Sequence, residues 1–264
     1  NVTGLQQVVD QAFVGAGDPN AGNARGLAVV QDGKLLIQKQ ATGFPKDMPL
    51  LGWSMTKTIN MMTFYKKAQE TNFDMNQLVI NAFPANREPS WVAQWRQDPQ
   101  KSQIKVTDLM FMKSGLDIED DYGPQGKVVQ MLYGEPSMAG FAASQPMAHA
   151  PGTSWGYSTG SSDIISQIAQ GMFPDDQAYW QYWQKSVFEP IGVNRGTFAT
   201  DTLGTWVGGS YVWANTGDWA KLGQLMLNDG AWNSQQVIPK GWWKLAGTPA
   251  MPDGEGHGYG AQTW

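Results

Sequence analysis

Residues 52–67 read GWSMTKTINMMTFYKK, and this run limits the possible folds more than any other stretch of the chain. Met55, Ile59, Met62 and Tyr65 recur at a spacing of three to four, and Met61 and Phe64 widen the apolar face. The run therefore predicts a helix from Thr56 to about Phe73 that is buried on most of its sides. Such a helix has to be enclosed by other elements. With 264 residues, 41% of them hydrophobic, the chain has material for one large domain or two interlocked ones.

The flanking sequence predicts what encloses it. Leu5, Val8, Val9, Ala12 and Phe13 fall at i, i+3, i+4, i+7 and i+8, the pattern of an amphipathic helix that packs on a sheet. In GLAVVQDGKLLIQK two β-prone runs stand either side of Asp32-Gly33, a pair that tolerates the positive φ of a tight hairpin. From about 74 to 200, short helix-like pieces are broken by Pro and Gly with little strand-type alternation. GTWVGGSYVWA then reads as extended, Thr216 as a helix cap, and Trp219, Leu222, Leu225 and Met226 as a helical stripe. The last residues, HGYGAQTW, alternate like a strand. The expected fold class is α+β: an antiparallel sheet flanked by helices, built from residues 1–58 and 201–264, with a mainly helical lobe at 59–200.

Composition removes several functions. Only 16% of residues are charged and the net charge is −5, so no basic stripe exists for a nucleic-acid backbone. The chain has no cysteine, which excludes disulfides, thiolate metal sites and cysteine nucleophiles. Its two histidines, His149 and His257, form no His-x-x-x-His pair, and neither a metal nor another cofactor is expected. No apolar run reaches the ~18 residues of a transmembrane helix. The opening NVTGLQQ lacks a basic-then-apolar signal segment and reads as the start of a mature or trimmed chain. Thirteen tryptophans and the run YWQYWQ (179–184) suggest packing seams before a carbohydrate platform, because each large ring buries much area on folding.

The chemistry lies at the head of the apolar helix. Ser54 and Lys57 form a Ser-x-x-Lys pair. At a helix N-terminus the positive end of the macrodipole favours a developing alkoxide, and a residue three positions on lies on the same face. Burial there lowers a lysine pKa and makes neutral amine available as a base. A second pair, Ser102 and Lys105, lies ahead of an extended or helix-entry stretch and lacks this setting. About a hundred residues after Ser54, HAPGTSWGYSTGSSDIISQI brings Tyr157 to the head of another helix-like run. A phenol held against an ammonium is stabilised toward phenolate and could share the Ser54 proton. Ser-x-x-Lys is among the catalytic signatures of class A β-lactamases and penicillin-binding proteins.

Taken in order, GWSMTK, LMFMKSGLDIEDDYG, HAPGTSWGYSTG, GGSYVWANTGDWAKLGQLMLNDGAWNSQQVIP and HGYGAQTW resemble the class C β-lactamase-related, penicillin-binding-protein-like serine hydrolases. The resemblance runs along nearly the whole chain and is nearest to the branch that includes 6-aminohexanoate-dimer (nylon oligomer) hydrolase. It implies a β-lactamase/transpeptidase-like fold and a cofactor-free acyl-enzyme mechanism. Ser54 would be the nucleophile, Lys57 the group that helps deprotonate it, and Tyr157 the shared acid/base. Tyr122, Thr159, Ser210 and His257 are candidate substrate contacts, whereas a structural or rim role is expected for His149 and His257 before a catalytic one. The partners it implies are a small ester or amide substrate, neither nucleic acid nor a membrane span, and a secreted or periplasmic location.

Two departures refine these expectations. Class C β-lactamases carry Tyr-x-Asn where this chain has Tyr157-Ser158-Thr159, and a threonine lacks the combined donor and acceptor of an amide. The expected substrates shift accordingly to carboxylic esters and linear amides, with β-lactams or D-Ala-D-Ala peptides as alternatives. The family also carries a third motif, on a strand that helps build the oxyanion hole. It would fall after Trp264, so C-terminal strands, a closing helix and a C-terminal remainder of the same protein are expected. A catalytically impaired binding protein without that motif is the remaining alternative.

Overall fold

The computed structural model describes residues 2–13, 24–251 and 258–264. Helix α1 (Val2–Gln11) precedes a hairpin, β1 (Gly26–Gln31) and β2 (Lys34–Gln40), and a short strand β3 (Leu50–Leu51) leads into α2 (Met55–Thr71). Six helices follow: α3 (Ser90–Gln97), α4 (Val106–Met110), α5 (Lys127–Gly134), α6 (Met138–Ser144), α7 (Thr159–Gly171) and α8 (Asp176–Trp183). The chain then returns through β4 (Thr197–Phe198) and β5 (Val212–Ala214) to α9 (Thr216–Leu227), the hairpin β6 (Ala231–Trp232) and β7 (Gln235–Gln236), and α10 (Trp242–Ala246). The architecture is α+β, with small antiparallel sheets ordered β1-β2, β3-β5-β4 and β6-β7.

The first hairpin turns where the sequence predicts. Asp32 and Gly33 both adopt positive φ, 51° and 73°, which gives a two-residue turn whose twist matches the strands. The register pairs Gln31 with Lys34 and Val30 with Leu35, then shifts by a bulge between Val29 and Val30. Helix α1 lies against β2, with Val9 buried and Val8 63% exposed, so one member of its predicted apolar face points to solvent. Asp10 anchors it through Lys39 at 2.6 Å.

Helix α2 is enclosed as its pattern demands: Ile59, Met61, Met62, Phe64, Tyr65 and Ala68 are all buried. Its main neighbour, α7, is buried along its whole length, polar residues included. That is tolerable because many of those groups are paired inside the protein. Ser158 caps α7 by accepting the Ser161 N–H at 3.0 Å. Asn60 of α2 donates to the Ser162 carbonyl at 3.0 Å, and Gln167 accepts the Trp91 indole N–H at 2.9 Å. The YWQYWQ run serves as a seam: Tyr179 and Trp183 are buried, and the Trp183 ring meets Phe188, Phe198 and Trp206.

Two local expectations are corrected. The cap of α9 is Asn215, whose side chain accepts the Asp218 N–H at 2.9 Å. Thr216 is instead the first helical residue and packs so closely on Gly26 that a Cβ there would lie 2.1 Å from its hydroxyl. Residues 258–264 form turns in place of a strand. Gln262 takes a positive φ of 60° and sends its amide to the Leu109 and Met110 carbonyls at 3.1 and 3.2 Å. Bonds to the buried C-terminal carbonyls of α4, which have no partner within that helix, replace a strand ladder.

Candidate active site

Ser54 stands on a strand–turn–helix elbow. The Gly52 N–H pairs with the Val212 carbonyl at 2.8 Å, and a Cβ on Gly52 would fall 2.4 Å from the Trp219 ring. Trp53 then takes a positive φ of 45°, a strained conformation for so bulky a residue. The turn delivers Ser54 to the first position ahead of α2. Its backbone N–H has no acceptor among the described residues, so an unused donor and the helix dipole face the same space.

One turn into α2, Lys57 is 1% exposed. Its ammonium donates to Ser54 Oγ at 3.3 Å, Thr159 Oγ1 at 2.8 Å and the Gly209 carbonyl at 2.9 Å. Burial lowers its pKa to about 8, against the opposing pull of Asp120 and Asp163. An amine with that value is about one-tenth neutral at pH 7, which suits a base.

Tyr157 immediately precedes the α7 cap, and Lys57 Nζ lies 4.8 Å from the centre of its ring. Burial pushes the phenol above its usual pKa and the Asp120 charge adds to this, while the neighbouring Ser54 hydroxyl and Trp264 side chain pull the other way. The Lys57 ammonium sits over the ring face and donates to Ser54, Thr159 and Gly209, so burial moves this phenol in the direction opposite to the stabilisation toward phenolate that an adjacent ammonium gives. Trp155, Tyr259 and Trp264 pack around the Tyr157 ring at centroid distances of 5.6 to 6.3 Å.

Thr159 connects this cluster to a carboxylate. Its hydroxyl accepts from Lys57 and donates to Asp120 Oδ2 at 2.6 Å, while its N–H donates to Asp120 Oδ1 at 2.7 Å. Tyr122 donates to the same carboxylate at 3.1 Å and is 61% exposed, so the solvent-facing side of the cluster carries a phenol. Its phenol is pushed up to about 12, first by burial and then by Asp120.

The remaining candidates are further removed. Ser210 is buried one residue past Gly209, and its N–H bonds the Val207 carbonyl at 3.1 Å. His149 is exposed; its backbone packs against Gly115, where a Cβ would lie 2.2 Å from the His149 carbonyl oxygen. His257 lies outside the described residues. Ser102 and Lys105 sit on a short 3₁₀ turn and the exposed N-cap of α4, away from any such enclosure.

Sequence reasoning missed Asp120, Asp163 and Gly209. Asp120 was one carboxylate in an acidic loop. Asp163 and Gly209 could have been flagged only by an acid inside a helix and a Gly-Gly pair before a strand, both weak signals. Among the described residues, no cluster of three or more His, Cys, Asp or Glu side chains is placed to hold a metal. No helix there is long and apolar enough to cross a membrane.

The chain matches the sequence model of the Beta-lactamase family over residues 6–264. No curated protein matches it. Its fold is similar to that of a protein described as a 6-aminohexanoate-dimer hydrolase from Bacillus anthracis, with TM-score 0.74 and 16% identity over 98% of this chain and 66% of that one. It is also similar to the octameric penicillin-binding protein homologue from Pyrococcus abyssi, with TM-score 0.68 and 16% identity over 99% of this chain and 64% of that one. A third similar structure is EstCE1, a hydrolase with promiscuous acyltransferase activity, with TM-score 0.69, 12% identity and coverages of 99% and 81%. The chain thus spans about two thirds of the length of the first two.

Proposed function

The chain belongs to the Beta-lactamase family of serine hydrolases, and from that premise we propose that it cleaves a carboxylic ester or a linear amide through an acyl-enzyme on Ser54. The observation that carries this reading is the buried Lys57 amine held between Ser54 Oγ, Thr159 and Gly209. Neutral Lys57 takes the Ser54 proton as Oγ attacks the substrate carbonyl carbon. The oxyanion formed is stabilised by the Ser54 N–H at the head of α2, a type of donor worth on the order of 10²–10³ in rate. Collapse of the tetrahedral adduct breaks the bond to the leaving group, which takes its proton from the Tyr157 phenol; Lys57 returns a proton to Tyr157. Water then attacks the acyl-enzyme by the same path in reverse and releases the acid.

Thr159 supports esters and linear amides ahead of β-lactams, because its hydroxyl is already committed to Lys57 and Asp120 and offers no amide to a substrate side chain. The nylon-oligomer-hydrolase branch is the nearest substrate model on this reading. Ser54→Ala should reduce turnover of p-nitrophenyl acetate to the uncatalysed rate with an unchanged circular dichroism spectrum. Wild-type turnover by the variant would refute the assignment, and faster hydrolysis of a chromogenic cephalosporin than of the ester by the native protein would move the substrate class to β-lactams.

A further inference from the structure

One buried titratable group has no part in the steps above. Asp163, on the second turn of α7, is fully buried. Its Oδ1 accepts the Gly209 N–H at 3.0 Å, and Gly209 in turn offers its carbonyl to Lys57 at 2.9 Å. Both polar groups of one glycine are therefore spoken for, one by Asp163 and one by Lys57. The backbone there is wedged between α2 and α7. A Cβ on Gly208 would lie 2.1 Å from Ser166 Oγ and 2.5 Å from Asn60 Nδ2, and one on Gly209 would lie 2.5 Å from Thr159 Cγ2. Asp163 Oδ2 is buried with no hydrogen-bond partner among the described residues, an arrangement that costs stability and is seldom kept without a role.

We propose that Asp163 is a positioning residue for Lys57: through Gly209 it fixes the carbonyl that holds the amine at Ser54, and its buried carboxyl is coupled to the protonation of that amine. The inference rests on the reading of Lys57 as the base. The groups that face the pair are Asp120 from the loop after α4, Asp201 from the segment before β5, and the phenols of Tyr157, Tyr179 and Tyr211. Burial raises Asp163 to about 8, the same range to which it lowers Lys57. As Asp163 ionises, its charge favours the ammonium, so Lys57 surrenders its proton later than it would beside a neutral group.

The test compares Asp163→Asn and Asp163→Ala with the native chain carrying ε-¹³C-labelled lysine, the Lys57 signal being assigned by its loss in Lys57→Met. Asp163→Asn should lower the Lys57 titration midpoint by about half a pH unit or more and move the acid limb of kcat/KM for p-nitrophenyl acetate the same way. Because it keeps an oxygen for the Gly209 N–H, it should also retain most of kcat. Asp163→Ala removes that anchor and should lower kcat by about tenfold or more, with KM changed less. An unmoved Lys57 midpoint in both variants, or equal kcat losses that track only the fraction of folded protein, would overturn the proposal. A native protein that hydrolyses no ester would refute the hydrolase reading instead, while the lysine titration would still decide this one.

Discussion

At the scale of single residues, Thr159 is the most exposed to test. Its hydroxyl accepts from the Lys57 ammonium and donates to Asp120, so one oxygen orders a cation and an anion together. Thr159→Val preserves the shape and removes both bonds. It should cost about 1–3 kcal/mol of stability, the usual penalty for leaving buried polar groups unpaired, and lower kcat for an ester by about tenfold with KM little changed. Urea denaturation and steady-state kinetics read the two effects. Ser54 and Lys57 were legible as candidates because the chemistry needs those residue types three apart at a helix head, and Tyr157 because its block follows theirs in the order the resemblance implies. The partners of Lys57 were not: Thr159 and Gly209 lie 102 and 152 positions along the chain.

At the scale of elements, periodicity placed α2 and the first hairpin well because burial imposes its own period on sequence. It marked α7 as a helix-like run but not as a helix buried on every side, because α7 carries Ser, Thr, Asp and Gln. A hydrophobicity pattern sees polar residues and expects solvent, whereas the structure pairs most of them inside. Capping was legible only to within one residue. Asn215 and Thr216 are both plausible caps, and the choice fell to Asn215 because Thr216 is pressed against Gly26. Asn215→Ala should therefore destabilise the protein by about 1 kcal/mol through loss of the cap, measured as a lower urea midpoint. An unchanged midpoint would locate the start of α9 elsewhere. The tail 258–264 misled the pattern reading because alternation marks a strand only where a neighbouring edge accepts it.

At the scale of the whole molecule, the candidate site draws on the elbow 52–57, the loop 120–122, the head of α7 and the glycines before β5. Enclosing those segments makes stability depend on pH. The raised pKa of Asp163 means that the folded state holds a proton the unfolded chain releases near 3.8. Its contribution is full below about pH 4 and is lost as pH rises to about 8. The lowered pKa of Lys57 acts in the next window: stability is lost as pH falls from 10.5 to about 8. Thermal melts of native protein and Asp163→Asn should show a Tm difference that shifts against the native protein as pH rises from 4 to 8. A constant difference over that range would show that the buried acid is not protonated there.

The sequence by itself determined that a helix headed by Ser54 and Lys57 is enclosed, that Asp32 and Gly33 reverse a hairpin, and that Tyr157 stands at the head of a second helix. Each of these follows from backbone conformation or burial acting within a dozen residues. Only the tertiary structure decided that Lys57 loses most of its solvent, that its ammonium lies over the face of the Tyr157 ring, and that Asp163 reaches the amine through Gly209. Those outcomes depend on desolvation and on hydrogen bonds between segments brought together by the packing of α2 on α7, which local spacing does not encode.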